Sequence, residues 1–116
     1  MIIDKDSFVG SINGLQCPTK SDALREFGNS FLFPKYYGNN LDALEDCLTD
    51  LSWIKQSKVI LVINDFDLFL TNETEEFKSS FLELLYDVQK EWNEDQNKED
   101  SKQFYFVNNF LAERSW

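Results

Sequence analysis

Residues 33–51, Phe-Pro-Lys-Tyr-Tyr-Gly-Asn-Asn-Leu-Asp-Ala-Leu-Glu-Asp-Cys-Leu-Thr-Asp-Leu, read as a rigid turn feeding a short helix with two unlike faces. Pro34 fixes one φ angle and does not belong inside a helix. Gly38 permits a positive φ, and Asn39 or Asn40 can cap the helix that follows. Leu41, Leu44, Leu48 and Leu51 then recur at steps of three and four, the spacing of an apolar helical stripe. Asp42, Glu45, Asp46 and Asp50 lie off that stripe, and no Lys or Arg falls between Lys35 and Lys55. The stretch predicts a carboxylate cluster on a leucine-backed helix over about 40–51, introduced by two tyrosines.

Upstream, Phe8-Val-Gly-Ser-Ile predicts a short strand ending at Asn13-Gly14, where a hairpin turn is one option. Thr19 and Asp22 have capping-box spacing, and Ala23, Leu24, Phe27 and Phe31 give an apolar face, so a helix is expected over about 20–31. Gly28 inside it costs roughly 1 kcal/mol relative to Ala. Downstream, Val59-Ile-Leu-Val-Ile63 lacks alternation, as a strand buried on both faces does. Residues 65–70 fit a short helix or a helical turn. Thr74 can cap the longest helix, over about 74–92, with Glu75 and Glu76 in its first turn and Phe77, Phe81, Leu84, Leu85, Val88 and Trp92 facing the core. Residues 94–102 are polar and predict an exposed or mobile loop. Phe104-Tyr-Phe-Val107 is the last strand, and 108–116 form a tail whose Phe110, Leu111 and Trp116 suggest packing. Helices that separate strands imply parallel pairing through crossovers, and hence one small α/β domain spanning residues 1–116.

Net charge is −10, which disfavours nucleic acid as a ligand and favours a basic partner. The chain has no His, so Ser-His and Cys-His nucleophile pairs are ruled out and a zinc site with only Cys17 and Cys47 is disfavoured. Both cysteines are expected as buried, reduced thiols, with a disulfide left open. Four scattered glycines make no phosphate cradle, and no basic stretch interleaved with aromatics marks an RNA-binding module. No membrane span or leader is visible, so a cytoplasmic protein without membrane contact is expected. The acids of the central helix could in principle hold a metal or act as acid and base, but that chemistry needs a cleft and unlike environments. Their physical oddity is different. Asp42 and Asp46 repel at i, i+4, Asp50 faces the wrong end of the helix dipole, and no local cation offsets either. A surface of that kind suits a cationic partner.

Pro-Lys-Tyr-Tyr-Gly-Asn-Asn-Leu-Asp-Ala-Leu-Glu-Asp-Cys-Leu-Thr, residues 34–49, closely resembles the core motif of the barstar family, intracellular inhibitors of barnase-type ribonucleases. The resemblance is strongest over 12–51 and covers most of the chain. It implies a three-stranded parallel sheet packed against about four helices, with 94–102 a polar loop and 108–116 a C-terminal extension. It further implies that the motif helix and its turn plug the active site of a ribonuclease, carboxylates standing where RNA phosphates would lie. Carried over by position, Tyr36 resembles a contact tyrosine, Gly38 a backbone contact, and Asn40, Asp42, Asp46 and Thr49 helix contacts, with Asp46 the principal anchor. Tyr37 and Cys47 match neighbouring positions. Alignment of Ser80-Phe81-Leu82 places Asp87 at a further acidic contact on the later helix. Glu45 stands where the family has a tryptophan, exchanging an aromatic contact for a charge and suggesting a different cognate enzyme.

The implied function is a ribonuclease inhibitor, or an immunity protein (antitoxin) against a barnase-like toxin. It would bind a basic ribonuclease or toxin domain one-to-one, without cofactor, metal or catalysis of its own. The alternative is an acidic adaptor or regulatory module for a basic partner that is not a nuclease.

Overall fold

A computed structural model of the chain describes residues 6–35, 37–94 and 101–108. Three strands, β1 (Ser7–Asn13), β2 (Lys58–Asn64) and β3 (Gln103–Asn108), form one parallel sheet in that order. Three α-helices connect them: α1 (Lys20–Ser30), α2 (Leu41–Asp50) and α3 (Glu75–Glu94). The fold is therefore α/β with three α-helices among the described residues, not four. Residues 65–70 give only a 3-10 turn, Phe66–Leu68, entered through Asp65 at φ 50° and soon followed by Leu70 at φ 59°. A second 3-10 turn, Gly14–Gln16, replaces the hairpin option after β1, with Asn13 accepting from the Leu15 amide.

Strand neighbours follow chain order, and right-handed crossovers then carry every helix to the same face of the sheet. The core shows the result. In register, Phe8, Val59 and Phe104 lie side by side, as do Ile12 and Ile63; four of these belong to the cluster under the helices, and Phe8 packs against it half-buried. Ile60 is fully buried on the other face, Val62 half-buried and Val9 43% exposed. The unbroken apolar run of β2 is thus buried on both faces for most of its length.

Helix ends follow the sequence signals. Thr19 accepts from the Asp22 amide and donates to the Asp22 carboxylate, closing the α1 capping box. Thr74 accepts from the Phe77 amide at the start of α3. Two features were not foreseen. Lys102, inside the stretch read as an exposed polar loop, is buried, and its Nζ donates to the carbonyls of Ile54 and Gln56 at 2.7 and 2.8 Å. On α3, Gln89 accepts from the Phe106 amide, while Asn93 accepts from the Phe104 amide and donates to its carbonyl. Side chains four apart on a helix thereby satisfy alternate backbone groups of β3, and little of that sheet edge is left to pair with another chain. Asn108, read as the start of the tail, is the last residue of β3; residues 95–100 and 109–116 lie outside those described.

Candidate functional site

The site grows from the packing of the turn before α2. Phe33 donates its amide to Gly28 O, which brings the chain back along α1. Its ring sits 4.7 Å from that of Tyr37, edge-on, and 5.9 Å from that of Trp53. Trp53 in turn donates from Nε1 to Phe31 O. Tyr37 lies along α1: its hydroxyl donates to Leu24 O, and its ring passes over Gly28 so closely that a Cβ there would lie 3.0 Å from Cε2. The helix-weakening glycine is therefore the seat of the tyrosine. Burial pushes the Tyr37 hydroxyl well above its usual range, with Cys47 adding to the effect.

This clamp fixes where α2 begins. Asn39 takes the left-handed conformation at φ 53°, and Gly38, expected to supply the positive φ, does not. An asparagine tolerates that region better than other side chains, so the glycine is not required for it. Asn40 is the cap: its Oδ1 accepts from the Ala43 amide at 2.8 Å. Leu44 and Leu48 then point into the core with Cys47 buried beside them, and Leu51 ends the helix at φ 50°. From behind, Trp92 of α3 donates its indole N–H to Leu48 O.

The opposite face carries the acids. Asp42, Glu45, Asp46 and Asp50 are all exposed. Among the described residues none of them pairs with a Lys or Arg; an ion pair does form between Arg25 and Asp22, on α1. Thr49 is half-buried, and its hydroxyl donates back to Glu45 O at 2.8 Å. Gly38 and Asn40 are exposed beside the helix start. These residues and the acids thus share one short turn-and-helix unit. Asp87 is exposed on α3, with no hydrogen bond or ion pair linking it to α2 among the described residues. Tyr36 lies outside those described.

A cavity of about 270 Å3 adjoins the acidic face, lined by Tyr37, Ala43, Asp46, Cys47 and Asp50. Of these, only Asp46 was placed in the contact set by the resemblance. The signal for Asp50 was in the sequence, an acid at the end of a helix that disfavours one. Cys47 and Cys17 are free and buried, and no group of three or more metal-ligating side chains occurs among the described residues. Burial, then the Asp50 and Asp46 carboxylates, raise the Cys47 thiol, which keeps it protonated and poor as a nucleophile or metal ligand.

The Barstar family model, described as barstar (barnase inhibitor), matches residues 8–107. The chain belongs to the barstar family. Within the curated proteins it is 39% identical over 59 residues to a protein of Bacillus subtilis (strain 168) named "Putative ribonuclease inhibitor YrdF". That match spans 51% of this chain and 60% of the relative. The three-stranded parallel sheet with its helices fits that family, and among the described residues no helix is long and apolar enough to cross a membrane.

Proposed function

We propose that this chain inhibits a barnase-like ribonuclease, acting as an immunity protein against an enzyme or toxin domain with a basic active site. The observation that carries this reading is the acidic face of α2: four exposed carboxylates without a cation among the described residues, on a helix fixed at both ends and from behind. Repulsion within the helix is then offset only when a cationic surface docks. Asp46 is the anchor, flanked by Asp42, Glu45 and Thr49, with Gly38, Asn40 and Tyr36 from the turn and Asp87 from α3. The inhibitor works by occupying the RNA-binding surface one-to-one, in the cytoplasm, with no chemistry of its own. Family membership and the ribonuclease-inhibitor name of the relative support the class of partner. Glu45 in a position of the contact helix favours a partner with an extra cation at that point. The test is RNA cleavage by a panel of barnase-like ribonucleases titrated with this protein: inhibition of at least one member, ending sharply at one equivalent, is expected.

A further inference from the structure

The two edges of the sheet are finished differently. Along β3 the outward backbone groups of Phe104 and Phe106 are taken by Asn93 and Gln89. Outward and inward residues alternate along a parallel strand, so in register with these it is Val9 and Ser11 of β1 whose backbone faces away from β2. Ser30, at the end of α1, donates to Ser11 O on that outer side. The Val9 amide and carbonyl and the Ser11 amide have no partner there among the described residues.

What borders the open edge is apolar and uncharged. No charged residue occurs between Asp6 and Lys20 or between Glu26 and Lys35, in a chain whose net charge is −10. The second of these segments lies against β1: the Phe31 ring sits over Gly10 and beside Phe8, and Ser30 reaches Ser11. Val9, Leu15 and Leu32, all in these two segments, are the large apolar side chains left exposed besides Tyr86 among the described residues. Leu32 follows the C-cap of α1 at φ 57°, the position after a helix where glycine is usual, and the Phe33 amide closes that motif on Gly28 O. Leu51 and Leu70 share the left-handed conformation and are fully buried, so packing offsets their strain; Leu32 is 65% exposed, and the fold offsets nothing.

We propose that the β1 edge pairs with the β1 edge of a second copy of this chain, giving a two-fold dimer with one continuous six-stranded sheet and Leu32 of each copy in the contact. The strand is complementary to itself. About a two-fold axis at Val9, antiparallel pairing lets the Val9 amide of each copy donate to the Val9 carbonyl of the other, and it brings the two exposed valine side chains together. Ser30 already holds Ser11 O, which leaves Val9 as the residue with both backbone groups free and so sets that register. Charge selects the same occupant. Two chains of net charge −10 repel over most of their surface, and these uncharged segments are where two copies meet without opposing like charges. A basic partner gains nothing at a surface without acids. The proposal does not rest on the inhibitor reading.

The test is sedimentation equilibrium of the full chain from low micromolar to millimolar concentration, with hydrogen exchange of its backbone amides over the same range. The apparent mass should rise from one chain toward two, and exchange at the Val9 amide should slow in step. Val9→Lys sets like charges face to face on the edge and should weaken dimerisation at least about fivefold. Leu32→Gly relieves the left-handed backbone, so it should raise the urea midpoint and yet weaken the dimer; a chain made more stable does not lose its dimer by unfolding. A chain that stays monomeric throughout, equal dimerisation by either variant, or concentration-dependent protection at amides away from β1 would overturn the proposal. So would a Val9 amide that exchanges slowly at every dilution, because another part of the same chain would then cover the edge.

Discussion

The indole Nε1 of Trp92 on α3 donates to the backbone carbonyl of Leu48 on α2 at 2.7 Å. Leu48 lies in the last turn of α2, where carbonyls have no partner within the helix. The bond therefore ends α2 and docks it in one step, behind the acidic face. Trp92→Phe keeps most of the ring and removes the donor. It is expected to destabilise the protein by about 1 kcal/mol, read as a lower urea midpoint with an unchanged slope.

Lys102 plays a matching part for the chain after α2. Its ammonium bridges Ile54 O and Gln56 O, and the side chain is only 8% exposed. Lys102→Met preserves the stem and strips two carbonyls of a charged donor. A loss of about 2 kcal/mol is expected, larger than for any substitution at the exposed Lys55 nearby, by the same denaturation measurement.

Stability at high pH follows chiefly from two buried groups, with the Cys47 thiol acting in the same direction. Burial pushes the Cys17 thiol up to about 12, with Glu26 and Asp22 adding to the effect, and burial also raises the Tyr37 hydroxyl. Both keep their protons in the folded chain at pH values where the unfolded chain releases them. Their contribution is full below the unfolded values, about 8.5 and about 10, and is lost as pH rises from there toward the folded values. The urea midpoint should fall between about pH 8 and about pH 11, and Cys17→Ala with Tyr37→Phe should flatten that slope.

At the acid end the sign reverses. The Thr19 hydroxyl and the Arg25 guanidinium hold the Asp22 carboxyl below its usual range. Its contribution is present above the unfolded value, about 3.9, and is lost as pH falls through the lower folded one. Asp22→Asn should remove that part of the acid slope and, because Asp22 also helps to raise the Cys17 thiol, soften the alkaline slope as well.

The helices and strands were largely legible because their signals are periodic. The leucine stripe at 41, 44, 48 and 51, the apolar run of β2 and the Thr19 and Thr74 caps all stand where expected. What the sequence hid depends on contacts across the chain. Gln89 and Asn93 look like ordinary polar positions of a long helix until β3 is beside them. Lys102 reads as solvated, because nothing local shows that Ile54 and Gln56 will offer it carbonyls. Gly28 reads as a weakness of α1 until the Tyr37 ring lies on it. The acidic face of the site was visible from spacing alone. Its cavity was not, because Tyr37 joins Asp46, Cys47 and Asp50 only through the aromatic clamp of the preceding turn.

Charge should govern how quickly the partner is met. With a net charge of −10 and the acids of α2 exposed, association with a basic ribonuclease is expected to slow at least tenfold between about 50 mM and about 500 mM salt. Stopped-flow mixing at the two ionic strengths measures it, and dissociation should change far less.

The central claim is that α2 blocks a ribonuclease through its carboxylates, with Asp46 as anchor. The most direct measurement compares the parent chain and Asp46→Ala as inhibitors of the same barnase-like ribonuclease. Loss of a buried charged anchor is worth about 3 kcal/mol or more, so Asp46→Ala should inhibit at least roughly a hundredfold less well while keeping the parent's thermal unfolding. Equal inhibition by the two proteins, or no inhibition of any barnase-like ribonuclease by the parent, would contradict it.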